Sequence, residues 1–276
     1  MVNKVDLHTH TIYSDGNLTP KELLNLANEK EIKGISITDH DNILGIKEAQ
    51  FYGDKLGIEV IPGVEISTDI EDFEVHLLGL FIDINNIELN KYLNFFREER
   101  YYRAKRIIKK LRNIGLPIAI EDVELKAKNS AIGRPHIAKA MVEQGLIQNY
   151  YEAFEKYIGD NGPAYEKKIH ISPISALKLI NDANGLCFIA HPNYIKENIL
   201  IFLIKSGIDG IEVVHPSHKK FQVRFYRELV NHYCLLETGG SDFHGQTKND
   251  EDNFGKYYIS YQKVSAMKKM LIKHKI

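Results

Sequence analysis

Several features are scarce or missing in this sequence, and each absence argues against a class of protein. Only two cysteines occur, Cys187 and Cys234, and they form no CxxC pair, so a disulfide framework or a cysteine-based metal site is not expected. Both lie in apolar runs and are predicted to be buried thiols, which fits a reducing compartment. No run of about 18 apolar residues occurs, which argues against a membrane-spanning helix.

An excess of charge of one sign is also missing. Lys and Arg number 36 against 37 Asp and Glu, so no global field suggests a nucleic-acid or membrane partner. The first candidate ligand, His8, leaves no room for a signal peptide before it, and we expect a cytoplasmic protein. Nothing in the sequence indicates an obligatory protein partner.

Strand and helix patterns alternate along most of the 276 residues. Thr19 and Pro20 are a typical cap and first residue of a helix, and strands are predicted at 34–40, 59–67, 74–83, 186–192, 209–216 and 234–245. This alternation favours a parallel sheet with helical crossovers. Between 87 and 172 the pattern is helical only. We therefore predict an α/β barrel of about seven β/α units in two parts, 1–86 and 173–276, with a helical insertion domain at 87–172.

The first strand carries the clearest chemical signal, in the stretch DLHTHTIYSDG at 6–16. Side chains alternate across a strand, so His8 and His10 are expected on one face. Two adjacent imidazoles suit a transition-metal ion, and Asp15 follows as an oxygen ligand.

Metal-ligand residues also end the other predicted strands, where barrel enzymes place their chemistry. They are His40, Glu65, His76, His191, Asp242 and His244. Together with the first three they make nine ligands from six strands, more than the four that one zinc ion uses. We predict two or three divalent metal ions, with Glu65 as the bridging carboxylate.

These motifs together resemble the PHP (polymerase and histidinol phosphatase) domain family. The resemblance rests on 6–16, SITDHD at 36–41, PGVEIS at 62–67, AHP at 190–192 and GGSDFHG at 239–245. It implies a distorted, TIM-like (β/α)7 barrel with up to three ions. Its ligand sets would be His8, His10, Glu65 and Asp242; Glu65, His76 and His191; and Asp15, His40 and His244. Asp15, where some relatives have His, favours Mn²⁺ or Fe²⁺ over Zn²⁺ at the third position.

The insertion resembles that of a branch of the family that acts on nucleotides, through GRPHIAKAMVE at 133–143. Arg134 offers a planar fork for phosphate, and His136 a second donor, on a loop fixed by Gly133 and Pro135. A basic helix at 97–112 precedes them. It is either a solvated face or a collar that attracts a polyanionic substrate.

Three further residues are assigned to the site. His215 at a strand end is a candidate to protonate the leaving group, and Asp39 is a candidate catalytic or supporting residue. Ser241 is a candidate substrate contact, while His170, His218, His232 and His274 are assigned to surface or structural positions.

The sequence thus predicts a metal-dependent phosphohydrolase in which a metal-bound hydroxide attacks phosphorus. The expected substrates are nucleoside 3′,5′-bisphosphates or short 5′-phosphorylated oligonucleotides. One alternative is a phosphatase of a small amine such as histidinol phosphate, which needs no nucleotide clamp. The others are an amidohydrolase, for which a bridging Lys at a strand end is missing, and a non-catalytic domain, which would have lost ligands.

Overall fold

The structure is a computed structural model that describes residues 3–71, 73–127, 130–169 and 171–274. The chain forms two compact units, which we call unit 1, residues 1–90 and 170–276, and unit 2, residues 91–169. Within the described ranges, no helix is both long and apolar enough to cross a membrane.

Unit 1 is built on one sheet of eight strands. The strands are β1 Lys4–Thr9, β2 Ile32–Ile37, β3 Glu59–Ile70, β4 Phe73–Leu80, β5 Leu186–Ile189, β6 Gly210–Val214, β7 Leu236–Gly239 and β8 Ile259–Ser260. Their order in the sheet is β7-β6-β5-β4-β3-β2-β1-β8. Beyond β7, the N–H of Asp242 donates to His8 O at 2.9 Å and the N–H of His10 donates to Phe243 O at 2.9 Å. These bonds nearly close the sheet into a barrel, as predicted.

The direction of β4 corrects the prediction of a parallel sheet. It runs antiparallel to both β3 and β5, and β8 is antiparallel to β1. Because β3 ends at Ile70 and β4 begins at Phe73, the connection is too short for the crossover that parallel neighbours need. The pairs β1–β2, β2–β3, β5–β6 and β6–β7 are parallel.

Helices flank the strands in sequence and fill the insertion. They are α1 Pro20–Glu29, α2 Ile46–Leu56, α3 Ile87–Asn113, α4 Ile120–Ala127, α5 Arg134–Glu143, α6 Tyr150–Ala153, a π-helix Phe154–Ile158, α7 Pro173–Asp182, a 3₁₀ turn Pro192–Tyr194, α8 Glu197–Lys205, α9 Lys220–His232, α10 Lys248–Asn253 and α11 Tyr261–His274. The predicted cap is confirmed, since Thr19 Oγ1 accepts the N–H of Glu22 at 3.2 Å and Pro20 opens α1. Several predicted strands were too long, because their polar ends are loops.

Each unit has its own apolar core. In unit 1, Val5 and Leu7 of β1 are fully buried in a cluster with Phe188 of β5 and with Val264 and Met267 of α11. In unit 2, the buried cluster joins α3, α4 and α5. The side chains that the helices contribute to it include Ile107, Leu111, Val123, Ile137 and Met141. Burial of about 1.5–3 kcal/mol per large aliphatic side chain stabilises each core.

Part of the basic helix serves the packing of unit 2. Arg103 in α3 is buried, and its Nε donates to Glu166 O at 2.8 Å. Lys110 donates to Tyr165 O at 2.6 Å and pairs with the Glu166 carboxylate at 2.9 Å. These cations are therefore not wholly solvated, contrary to the simpler of the two sequence interpretations.

Candidate metal centre

The structure brings all nine predicted ligand residues of unit 1 together. Each has a nitrogen or oxygen atom within 4 Å of a counterpart in another member of the set. His8 lies near the end of β1, and six others lie in the segments that follow strands, where a barrel places such ends together. The prediction that Glu65 and His76 end their strands was wrong, because Glu65 lies inside β3 and His76 inside the antiparallel β4. The role of the nine residues as metal ligands remains a prediction.

Glu65 of β3 occupies the middle of this set. Its Oε2 lies 3.1 to 3.3 Å from three histidine nitrogens, and its Oε1 lies 2.9 and 3.0 Å from two others. The partners of Oε2 are His8, His10 and His40, and those of Oε1 are His76 and His191. Burial acts to raise the pKa of Glu65, but the surrounding histidines lower it well below its usual range. A carboxylate with its two oxygens facing different histidines is placed as a bridge would be.

Asp242 follows β7 in the left-handed region, with φ 51. Its Oδ1 lies 3.2 Å from Nε2 of both His8 and His10. Its Oδ2 lies 3.3 Å from Nε2 of His215. Burial would raise the pKa of Asp242, but these histidines hold it well below the usual range. The strained backbone thus turns one carboxylate toward three imidazoles.

Asp15, His40 and His244 form another part of the centre, in which the Asp15 side chain is 45% exposed. Asp15 Oδ1 lies 3.2 Å from His244 Nε2, and Asp15 Oδ2 lies 3.9 Å from His40 Nε2. Nδ1 of His244 lies 2.8 Å from Asp242 O, to which it can only donate. The proton of neutral His244 therefore sits on Nδ1, and the Nε2 lone pair faces Asp15.

The donor set fits divalent transition ions. His10 Nε2 and His40 Nδ1 are buried without a hydrogen-bond partner, although carboxylate oxygens lie 3.2 and 3.1 Å away. Buried polar atoms are normally satisfied, and a shared cation would satisfy these. Within the described part of the chain, five groups of residues have all their donor atoms within 4.8 Å of one another; one is His8, Glu212 and His215, and the other four consist only of predicted ligands. These four are His8, His10 and Asp242; His8, Glu65 and His191; His40, Glu65 and His76; and His10, Asp15, His40 and His244. Imidazole and carboxylate together suit Zn²⁺, Mn²⁺ or Fe²⁺.

Sequence reasoning missed Glu212 of β6. It is fully buried, its Oε1 lies 2.9 Å from Nδ1 of His8, and its Oε2 accepts the N–H of His191 at 2.7 Å. Burial would raise the pKa of Glu212, but the charge of His8 and other histidines lowers it overall. The available signal was an acidic residue inside the apolar strand GIEVV, since a buried charge needs a partner.

Asp39 is placed to hold the loop after β1. Its Oδ1 accepts the N–H of Thr11 at 2.7 Å and the hydroxyl of Ser14 at 2.6 Å, and its Oδ2 accepts the hydroxyl of Thr11 at 2.6 Å. Asp15 follows in the same loop. A catalytic role of Asp39 remains a prediction.

His215 is oriented by the loop after β6. The N–H of Ser217 donates to Nδ1 of His215 at 3.1 Å, so the proton of the neutral ring sits on Nε2, facing Asp242. The other candidate in this region, Ser241, is 3% exposed, and its Oγ is buried without a hydrogen-bond partner. Its backbone N–H donates to Asp6 Oδ1 at 3.0 Å.

Arg134 and His136 lie in unit 2, where the predicted loop is the first turn of α5. Nδ1 of His136 accepts the N–H of Gly133 at 3.1 Å, so this ring nitrogen caps the helix. Nη1 of Arg134 donates to Asp160 Oδ1 at 2.7 Å and to Ile158 O at 3.3 Å. The Arg134 side chain is 28% exposed, so a ligand can reach it.

The remaining histidines and cysteines bring one correction. Cys187 is buried as predicted, but Cys234 is exposed because it lies in the turn after α9. His218 is buried, with Nδ1 2.9 Å from Val213 O, and His232 is exposed. His170 and the side chain of His274 lie outside the described part of the chain.

Comparison with known proteins agrees with this geometry. The PHP domain family matches residues 6–161. A 5′-3′ exoribonuclease of Haemophilus influenzae is 33% identical over 88% of this chain and 91% of its own. A 3′,5′-nucleoside bisphosphate phosphatase of Chromobacterium violaceum is 30% identical over 90% of both chains.

A solved structure resembles the fold over nearly its whole length. It is described as a putative metal-dependent phosphoesterase of Bifidobacterium adolescentis, with a TM-score of 0.83, 30% identity, and coverage of 95% of this chain and 94% of that one. The motifs, the barrel and these likenesses agree, and the chain belongs to the PHP domain family.

Proposed function

We propose that this protein is a metal-dependent phosphoesterase that acts on nucleotides. The observation that carries the proposal is Glu65, whose two oxygens each face a separate set of histidine nitrogens. A carboxylate so placed suits a site for more than one ion. Relatives of this chain are named for hydrolysis of phosphate esters in nucleoside bisphosphates and RNA.

The distances support two of the three ligand sets implied by the family resemblance, since His8, His10 and Asp242 lie within 4.8 Å of one another, as do Asp15, His40 and His244. For the other set, His76 and His191 each contact Glu65 Oε1, at 2.9 and 3.0 Å. His8, His10 and Asp242 would hold one ion with Glu65 Oε2, and His76 and His191 a second with Glu65 Oε1. Asp15, His40 and His244 would hold a third. Bound divalent ions lower the pKa of water and neutralise phosphoryl oxygens, as ester hydrolysis requires. We propose Mn²⁺, Fe²⁺ or Zn²⁺ as the ions, two to three per chain.

His215 is the proposed proton donor. Its Nε2 carries the proton of the neutral ring, because Nδ1 accepts the N–H of Ser217. Asp242 Oδ2, 3.3 Å away, holds that proton toward the centre. Such a donor can protonate the oxygen that leaves phosphorus. Asp39 and Ser241 are proposed to support the site through the loop after β1 and the segment after β7.

Residues 87–172 are the proposed insertion domain, and Arg134 and His136 its phosphate-binding residues. Asp160, which pairs with Arg134, has a side chain 76% exposed, so a phosphate would compete with a weak surface partner. We propose nucleoside 3′,5′-bisphosphates or short 5′-phosphorylated oligoribonucleotides as substrates. Two thiols without a disulfide partner support a cytoplasmic location.

The proposal is tested with purified protein loaded with Mn²⁺. Phosphate release would be measured from a nucleoside 3′,5′-bisphosphate, a 5′-phosphorylated oligoribonucleotide and histidinol phosphate, with a chelated sample as control. We expect metal-dependent hydrolysis of at least one of the first two, well above the third. Preference for histidinol phosphate would overturn the nucleotide assignment. Absence of hydrolysis with every divalent ion would overturn the activity.

A further inference from the structure

Glu212 contacts two histidines of the candidate metal centre, although it does not belong to the predicted ligand set. It is 0% exposed and lies in the middle of β6. Its Oε1 lies 2.9 Å from Nδ1 of His8, and its Oε2 accepts the backbone N–H of His191 at 2.7 Å. The Glu212 side chain thus holds the ring of His8 in β1 and the backbone of His191 in the segment after β5.

Both contacts require an acceptor. A carboxylate can only accept, so neutral His8 donates from Nδ1, and its Nε2 lone pair faces Glu65 Oε2 at 3.3 Å and Asp242 Oδ1 at 3.2 Å. His191 has left-handed backbone angles, φ 26 and ψ 62. Because this conformation is sparsely populated without glycine, the bond from its N–H helps to keep Nε2 beside Glu65.

We infer that Glu212 is a positioning residue that orients His8 and His191 together for divalent metal binding. The inference rests on the proposed metal-dependent function. Carboxylates that hold the far nitrogen of a metal-binding histidine fix its tautomer and raise its basicity. Glu212 would do so for His8 while also fixing the backbone of His191, so the two proposed ions that use these histidines would depend on one carboxylate.

Glutamine at this position would separate the two tasks. Its amide offers one acceptor and one donor, whereas the site presents two donors. If the amide oxygen faces His191, its NH₂ faces Nδ1 of His8 and favours the tautomer protonated on Nε2, which cannot bind a metal. If the amide is reversed, its NH₂ opposes the N–H of His191.

A matched control lies on the neighbouring strand. Glu237 of β7 is also a buried glutamate, but it pairs with Arg227 and Lys263, each at 2.8 Å, and contacts none of the candidate ligands in the interactions of the described chain. Glu237→Gln therefore changes a buried carboxylate of the same sheet without touching the centre.

The experiment measures metal binding directly. Full-length wild type, Glu212→Gln and Glu237→Gln would be stripped with a chelator and titrated with Co²⁺ and Zn²⁺, with elemental analysis and the visible Co²⁺ spectrum as readouts. In Glu212→Gln we expect the affinity of the ions on His8 and His191 to fall about tenfold to a hundredfold. The ion on Asp15, His40 and His244 should remain, and Glu237→Gln should bind like wild type.

Three results would refute the positioning role of Glu212, and a fourth would instead refute the proposed metal-dependent function. Wild-type metal binding by Glu212→Gln, with an unchanged Co²⁺ spectrum, would refute the positioning role, and equal weakening in Glu237→Gln would assign the effect to the sheet. If wild type itself binds no divalent ion, the proposed function fails instead. If Glu212→Gln does not fold, ¹⁵N NMR of zinc-loaded wild type tests the inference instead. A proton on Nδ1 of His8 would support the inference. A proton on Nε2 of His8, or a metal ion on Nδ1, would refute it.

Discussion

Replacing Asp39 would show whether this carboxylate anchors a loop or takes part in chemistry. It is fully buried and accepts three hydrogen bonds from Thr11 and Ser14. Asparagine keeps an oxygen for the Thr11 N–H and the Ser14 hydroxyl, and its NH₂ can donate to the Thr11 hydroxyl. Alanine leaves all three donors without their acceptor. The two variants therefore differ in hydrogen bonding far more than in size.

The expected magnitudes follow from those bonds. With three donors left unsatisfied at about 1–3 kcal/mol each, Asp39→Ala should lower the free energy of unfolding by at least about 3 kcal/mol. Asp39→Asn should cost about 1 kcal/mol. Burial raises the pKa of Asp39 above 3.8, although the bonded donors and the charge of His10 oppose the shift. A raised folded pKa means that stability is lost as pH rises, so the asparagine variant should improve relative to wild type from acid to neutral pH.

The assay combines urea unfolding of chelated protein with hydrolysis by metal-loaded protein. We expect Asp39→Asn to keep most of the catalytic rate, and Asp39→Ala to lose rate together with the ion near Asp15, which lies in the anchored loop. If Asp39→Asn lowers the free energy of unfolding as much as Asp39→Ala does, the three hydrogen bonds to Asp39 do not account for its effect on stability. If asparagine abolishes hydrolysis while stability and metal content are retained, Asp39 has a role in proton transfer.

Other perturbations test the centre and the insertion. Glu65→Ala should empty two metal positions together because its oxygens face two sets of histidines, whereas Asp15→Ala should empty one; elemental analysis counts the ions. Arg134→Ala should lower kcat/KM about tenfold to a hundredfold on a bisphosphorylated nucleotide and much less on a monophosphate. Arg134→Lys should recover part of this loss, because an ammonium keeps the charge without the planar fork of the guanidinium. Steady-state assays of each variant on both substrates would measure these effects. The free energy of unfolding of the chelated protein should fall as pH rises toward 10. Burial lowers the pKa of His10 and His76, but the adjacent carboxylates raise these pKa values to about 10 and about 9. The contribution of these two histidines to stability is complete below their unfolded-state pKa of 6.5 and is lost as pH rises through their folded-state pKa values. Urea titrations at several pH values would measure this loss. Finally, kcat should rise across the neutral pH range and then level off, if deprotonated water is the nucleophile.

Each of these expectations has a contrary outcome. One ion or fewer in protein prepared without chelators would contradict a multinuclear centre. Equal losses on both substrates would mean that Arg134 contacts the reacting phosphate or only stabilises unit 2. Stability of the chelated protein that is constant from pH 6 to 10 would contradict the raised histidine pKa values, and a flat rate profile would argue against a titrating nucleophile.

Local patterns were sufficient for the barrel and for the residues that gather at its strand ends. The period of a strand gave His8 and His10, and His or Asp residues after apolar runs gave most of the others, whereas Glu65 and His76 lie inside β3 and β4. Strand direction was not predicted correctly, although the short connection between Ile70 and Phe73 contained the answer. Alternation of apolar residues is the same in parallel and antiparallel strands, so only the connection distinguishes them.

Partners across the barrel could not be read from the sequence. Glu212 was visible as a charge in an apolar strand, but nothing local states that it faces His8, a residue 204 positions away. Asp39 was recognised only by its neighbour His40, whereas its contacts are with Thr11 and Ser14. Cys234 was placed in the core because its neighbours are apolar. Its φ of 53 places it in a turn instead.

The closing seam of the barrel has a consequence for synthesis of the chain. The bonds that join β1 to the segment after β7 connect His8 with Asp242 and His10 with Phe243. Contacts of such long sequence separation form late, since the loop between them must be ordered first. Most of the polypeptide would therefore be synthesised before β1 could pair with the segment after β7. Until then, His8 and His10 would be accessible to chaperones and to free metal ions.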